Sequence, residues 1–236
     1  METSNKVAME RSDNGPLLWN NLVDRLSPSL GPCVVAGGCV RDYVLGYEPK
    51  DIDVFVNFKS ELDLELAAQK AGLSFATMVP EFDSKGYTID RGDDGLPEVA
   101  GVLDGVLEGF RIQIISRPAE QFSGQTVVSK FDIGLTQMFW DGQSIIKTEA
   151  ATTDESSRTC TLIRGETLDR ERKSKQRFES FNTRDGGRGF TWRNPFEEAR
   201  KEQEAEWLKK LKHIKGLNSK PLSFSAYSKL YFQTVT

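Results

Sequence analysis

The sequence predicts a mixed α/β (α+β) fold: a small mixed sheet flanked by helices, with a mainly helical C-terminal part behind it. Three observations carry this. Through residue 150, short runs with period-two alternation interleave with segments of helical periodicity. The apolar content of 38%, with 10% aromatic residues, is enough for the core of one large or two small domains. Charge is also divided: residues 1–150 hold 13 basic and 23 acidic side chains and residues 151–236 hold 18 and 12, beneath a net charge of -4. The expected organisation is a head over 1–150 and a basic, mainly helical region over 151–236. Such asymmetry points to a charged partner, often nucleic acid.

Each element has its own signal. Leu17, Leu18, Leu22, Val23 and Leu26 sit close to helical spacing, predicting a helix from Pro16 to Leu26 that Ser27-Pro28-Ser29 ends. Residues 32–36 (PCVVA) read as a short buried strand, followed at once by Gly37-Gly38. A short helix from Cys39 to Leu45 is stopped by Gly46. From Asp51 to Phe58, Ile52, Val54, Val56 and Phe58 alternate with Asp51, Asp53, Phe55 and Asn57, which is a strand. Ser60 suits the N-cap of a helix to about Ala71, with Asp63 at its third position. A strand near Phe75–Val79 precedes a polar, Gly- and Asp-rich loop from Glu81 to Gly95. Val99–Leu103 and Phe110–Ser116 are expected to pair across Gly105 to Gly109. Phe131–Trp140 and Ser144–Lys147 are expected to form a hairpin about Asp141-Gly142. Ala151 to Ser157 reads as a small-residue linker. Helices follow at about 167–182 and 195–215, separated by Asp185-Gly186-Gly187-Arg188-Gly189, and Trp207, Leu208, Leu211 and Ile214 form an apolar packing stripe on the second.

Composition excludes several functions. No apolar run approaches the roughly 18 residues a membrane helix needs, so no membrane partner is expected. The first 15 residues lack the apolar stretch of a secretory signal. Three cysteines without C-x-x-C spacing fit a reducing, cytoplasmic setting. A single histidine, His213, rules out a His-based metal cluster, so metal chemistry would run on carboxylates and favour Mg²⁺ or Mn²⁺.

Chemistry concentrates in residues 34–58. A strand enters the Gly37-Gly38 turn that opens a helix, leaving backbone N–H groups and a helix dipole that favour phosphate. Lacking Cβ atoms, the two glycines let a triphosphate approach the backbone. Asp51 follows Gly38 by 13 residues, with Asp53 two further on. On a strand that spacing puts both carboxylates on one face. Such a pair repels unless a divalent cation sits between its members. A phosphate cradle beside a divalent-metal site meets the two requirements of metal-assisted phosphoryl or nucleotidyl transfer.

The segment resembles the nucleotidyltransferase superfamily related to DNA polymerase beta, and most nearly the head domain of bacterial-type CCA-adding enzymes and poly(A) polymerases. Their motif, Gly-Gly-x-Val-Arg-Asp, then Leu-Gly, then Asp-x-Asp, is matched by Gly37, Gly38, Val40, Arg41, Asp42, Leu45, Gly46, Asp51 and Asp53. A second likeness, to Asp-Phe-Thr-Ile-Asn-Ala-Leu-Ala-Tyr-Asp, runs from Asp132 to Asp141. A third, to a basic helix leading into Gly-Phe-Thr, runs from Arg172 to Thr191 and ends Arg188-Gly189-Phe190-Thr191. The resemblance implies a nucleotidyltransferase head. Asp51 and Asp53 would bind Mg²⁺ ions, one neutralising the triphosphate and another lowering the pKa of the acceptor hydroxyl. Gly37, Gly38, Arg41, Asp42 and Lys50 would bind the nucleotide.

Where the superfamily places a third carboxylate, this chain has Gln113, which brings no charge and accepts no proton as a carboxylate does. Asp132 is the expected substitute in the catalytic set, with Asp104 and Glu108 as further candidates. About 85 residues follow the head, too few for the long helical body of full CCA-adding enzymes, which implies a compact, phage-type member with another acceptor. The expected partners are an NTP and an RNA (tRNA-like) 3′ end held by the basic C-terminal region, where Arg170, Arg172, Lys173, Lys175 and Arg177 crowd one helix and Lys209, Lys210, Lys212 and Lys215 another. A protein side chain is the alternative acceptor. The alternative class is a catalytically retired fold acting as a nucleic-acid- or protein-binding adaptor, motivated by Gln113.

Overall fold

The computed structural model describes residues 14–213, apart from 74–75, 78–98, 108 and 166. The chain divides into two compact units, one ending at Arg193 and one beginning at Asn194. Among the described residues no helix is long and apolar enough to cross a membrane.

The first helix, α1 (Asn14–Leu30), runs past the Ser27-Pro28-Ser29 signal expected to end it. Pro28 is tolerated because the last turn is anchored by buried Leu26 and Leu30, and the chain leaves only at Gly31, at φ 73°, whose N–H donates to the Ser27 carbonyl at 3.0 Å. After it come β1 (Val34–Ala36), α2 (Gly38–Val44), β2 (Ile52–Val56) and α3 (Glu61–Lys70). Ser60 caps α3 as expected, its hydroxyl accepting from the Asp63 N–H. A two-residue strand, β3 (Ala76–Thr77), falls inside the expected 75–79 strand; the rest of that segment and the 81–95 loop lie outside the described residues.

β4 (Gly101–Leu107) and β5 (Phe110–Ser116) form a longer hairpin than expected. Residues Gly105 to Leu107 continue the ladder, opposite Ile112, Arg111 and Phe110. A short helix, α4 (Gly124–Val128), closed by a Ser123–Thr126 capping box, precedes the segment expected as one long strand from Phe131. Only β6 (Met138–Trp140) is strand there. Gly134–Thr136 is a 3₁₀ turn in which a Cβ on Gly134 would stand 2.7 Å from the Asp154 carboxylate. Packing against that neighbour overrides the apolar alternation. β7 (Ile145–Lys147) pairs with β6 across Asp141-Gly142 as expected.

The stretch expected as a linker is instead a helix, α5 (Glu149–Ser157). Thr148 caps its start by accepting from the Ala151 N–H, and Arg158 ends it in the left-handed region at φ 52°. Then follow β8 (Thr159–Thr161), α6 (Leu168–Asn182), β9 (Thr191–Arg193) and α7 (Pro195–His213). The last is the second unit's helix; Asn194 caps it by accepting from the Phe196 and Glu197 N–H groups, both at 3.1 Å. On it, Trp207 is half-buried and Leu208 exposed, while the Leu211 side chain and Ile214 lie outside the described residues.

The main sheet is mixed, in the order β3-β4-β5-β2-β1-β6-β7. Among the described strands, its one parallel pairing joins β2 to β5, with Asp53 opposite Gln113. Because neighbouring positions of β2 point to opposite faces, Ile52, Val54 and Val56 enter one core with Trp19, Leu22, Leu26 and Leu64. Phe55 enters another with Ile115, Val102, Val127 and Val128. β8 and β9 pair in parallel, and the crossover that parallel strands require is α6. Phe178, Phe181 and Phe190 join the larger core, so the first compact unit includes α5, α6 and β9 beyond residue 150.

Candidate active site

Chain direction puts the acidic pair where it can act. Asp53 lies on the β2 face that carries Phe55, opposite the α1–α3 core, and that face opens into a cavity of about 600 Å³. Gly37, Gly38, Asp51, Asp53, Gln113 and Asp132 all line it. One wall is apolar, with Phe55 and Phe131 rings 5.4 Å apart. Arg172, Lys173, Gln176, Arg177, Ser180 and Arg184 line it from α6 and the turn beyond, at the three-to-four-residue spacing of one helix face.

The glycine turn is built as its sequence suggests. Gly37 has φ 85°, and a Cβ there would come within 3.3 Å of the Phe131 ring and 3.8 Å of the Asp53 carboxylate. Its N–H donates to the Met138 carbonyl at 2.9 Å, tying the turn to β6. Arg41 reaches the same cavity from α2, its guanidinium 3.9 Å from the Phe181 ring centroid and donating from Nε to Asp42 at 2.8 Å.

Burial, reinforced by repulsion from Asp51, pushes the Asp53 carboxyl up to about 7, although Arg177, Arg41 and Arg111 pull the other way. Two carboxylates, one of them ionising against its surroundings, are the donor set a hard divalent cation fits. Asp51 and Asp53 are the residues that would hold it. Among the described residues, no group of three or more His, Cys, Asp or Glu side chains is clustered to hold a metal.

Asp132 lines the cavity, but its carboxylate is engaged elsewhere. It accepts from the Ser174 hydroxyl at 3.0 Å and pairs with Arg177 at 3.5 Å and Arg170 at 3.8 Å, which binds α6 to the head. Asp104, in register with Gln113, makes a two-pronged pair with Arg111, at 3.2 Å to Nε and 2.6 Å to Nη2. Glu108 lies outside the described residues.

Two residues expected at the nucleotide are not brought to the cavity. Lys50 is exposed and does not line it. Asp42 is buried beneath it, where one carboxylate gathers Arg41 at 2.7 Å, Arg188 at 3.1 Å and Arg184 at 3.5 Å. Arg188 is itself buried, stacked 3.8 Å from the Tyr47 ring centroid, so the Arg188-Gly189-Phe190 turn is latched to α2. Sequence reasoning did not pick out Arg117, Lys130 and Cys160, which also line the cavity. Burial pushes the Cys160 thiol up to about 12, so it stays protonated and is no nucleophile.

Comparison with known proteins gives the class first. Solved structures sharing this fold include the Thermotoga maritima CCA-adding enzyme complexed with tRNA, at TM-score 0.53 and 19% identity over 85% of this chain and 45% of that one. A CCA-adding enzyme complexed with CTP gives 0.52 and 18% over 85% and 46%. A tRNA nucleotidyltransferase with a primer tRNA and an incoming ATP analogue gives 0.51 and 15% over 79% and 51%. The chain thus spans about half the length of the structures it matches. No curated protein matches the sequence. Residues 33–86 match the family model of the poly(A) polymerase head domain. Residues 33–86 thus resemble a poly(A) polymerase head domain, within a chain that shares the fold of CCA-adding enzymes.

Proposed function

We propose that the protein is a metal-dependent nucleotidyltransferase, which moves a nucleoside monophosphate from an NTP to an acceptor hydroxyl. One observation carries the reading: the Asp51–Asp53 pair and the Gly37-Gly38 turn line the same cavity as the basic face of α6. A triphosphate has acidic residues for its metal on one side and cations for its oxygens on the other.

Asp51 and Asp53 would hold Mg²⁺ or Mn²⁺, which would supply positive charge to neutralise the triphosphate and acidify the acceptor hydroxyl. The chain does the rest by positioning and by fixed charge. Gly37 and Gly38 leave room for phosphate oxygens against the backbone. Arg172 and Lys173 hold the outer phosphates and stabilise the charge growing on the leaving group. Phe55, Ile115 and Phe131 exclude water from one side. The acceptor oxygen forms a bond to the α-phosphorus as the α–β bridging bond breaks. Pyrophosphate departs and the hydroxyl proton passes to solvent.

The acceptor favoured is an RNA 3′ end, tRNA-like, since related folds have been captured with tRNA; the basic C-terminal region would hold it. Gln113 favours the second reading, a retired fold serving as an adaptor. Incubation with Mg²⁺, each labelled NTP in turn and total RNA separates them. Label entering RNA, or the protein itself, and lost in Asp51→Ala/Asp53→Ala supports the enzyme. No transfer with any NTP by the folded protein leaves the adaptor.

A further inference from the structure

The strand beside the acidic pair carries the opposite electrostatic character from the one a two-ion site needs. β5 runs parallel to β2 with Asp53 opposite Gln113 and Ile52 opposite Ile112. Arg111 stands two positions before Gln113 on β5, on the face that holds Gln113. Arg111 interacts electrostatically with both Asp51 and Asp53. It is not a loose surface cation. Asp104, in register with Gln113 on the next strand, grips it through Nε at 3.2 Å and Nη2 at 2.6 Å. Two neighbouring strands therefore present a neutral amide opposite one metal-binding aspartate and a fixed guanidinium acting on the pair.

We propose that Asp51 and Asp53 hold a single divalent cation, and that the Arg111 guanidinium, oriented by Asp104, takes the electrostatic place of a second. This rests on the nucleotidyltransferase reading and specifies its metal stoichiometry. Two divalent ions roughly 3.5–4 Å apart need carboxylates enough to offset their mutual repulsion. Here two carboxylates serve, a third side chain is uncharged, and the fixed charges acting on Asp53 from Arg177, Arg41 and Arg111 are already positive. Asp104 is committed to Arg111 and Asp132 to α6, so neither completes a second ion's shell. Arg111 is thus a positioning residue, adding positive charge beside the Asp51–Asp53 pair without requiring a second ion. It has no lone pair to take the acceptor's proton.

The test counts ions directly. Crystals of the full chain grown with Mn²⁺ and a non-hydrolysable NTP analogue are measured by anomalous scattering at the manganese edge, each of the four bases being tried. One manganese site at Asp51 and Asp53 supports the proposal; two sites overturn it while leaving the nucleotidyltransferase reading intact. No manganese at the pair with any analogue overturns that reading, and this inference with it. The variant Arg111→Gln/Gln113→Asp removes the cation and supplies a third carboxylate, and two manganese sites are expected. If that variant folds, by unchanged circular dichroism and thermal melt, yet still binds one ion, Arg111 and Gln113 do not set the count and the proposal fails.

Discussion

Asp53 is ionised at a cost, and the cost has a sign that can be measured. Its folded-state pKa is raised from the ordinary 3.8 to about 7 by burial and by Asp51. An acid raised on folding holds its proton more tightly in the native state. Stability through this group is therefore greatest below about pH 4 and falls as pH rises toward 7, then levels off. Asp53→Asn removes that penalty. Without divalent metal at pH 8, the variant is expected to be more stable than wild type by about 1–3 kcal/mol, allowing for solvent screening. Melts should differ by several degrees at pH 8 and converge near pH 4. Added Mg²⁺ should raise the wild-type midpoint and leave the variant's unmoved. Asp42 behaves oppositely. Arg188, whose side chain is 1% exposed, would keep a buried charge if Asp42 were removed. Asp42→Ala is expected to destabilise by about 3–5 kcal/mol in urea unfolding.

At the scale of elements, the face of α6 turned to the cavity is the feature that distinguishes binding from folding. Among the described residues, Arg172 and Lys173 pair with exposed Asp169, contacts of small energetic worth. Arg172→Gln/Lys173→Gln should thus leave the melting midpoint nearly unchanged. Each charge-assisted contact to phosphate contributes about 1.5–3 kcal/mol, so KM for the NTP should rise roughly 10-fold or more, with kcat lowered less. How far these elements were legible follows from where their causes lie. The strand, glycine turn and Asp51–Asp53 pair are readable because cap, turn and alternation sit within one short window. α5 is not, since Thr-Thr-Asp-Glu-Ser-Ser has weak helical preference and its stability comes from the Thr148 cap and from burying Ala151 and Asp154. Asp42 read as a nucleotide contact because its partners, Arg184 and Arg188, stand more than 140 positions away in sequence. The cavity lining of α6 was visible only as a basic run, since nothing local says which of its faces meets the head.

For the whole molecule, the divided charge changes meaning once the units are drawn. The acidic head and basic tail do not meet at residue 150, because the compact unit continues to Arg193 and takes α6 with it. Arg170 and Arg177 are spent on Asp132, and Arg184 and Arg188 on Asp42, so part of the apparent surplus is neutralised inside the fold. On the proposed reading, a polyanionic partner would be left the cavity face of α6 and the second unit, where residues 194–236 hold 8 basic and 5 acidic side chains. Among the described residues, the buried hydrophobic cores take in none beyond Trp192. A chain ending at Arg193 should therefore keep its cooperative melt, with a midpoint within about 2–4 °C of the full chain, a shift worth roughly 1 kcal/mol at this size. It should also keep its NTP affinity, since every described lining residue of the cavity precedes Arg193. Its affinity for RNA should fall, and the slope of log affinity against log salt should become shallower as the phosphate contacts of the second unit are lost. Fluorescence titrations of labelled RNA at several salt concentrations measure both. An unchanged slope would place the acceptor entirely on the head, and loss of NTP binding would mean that the second unit shapes the cavity.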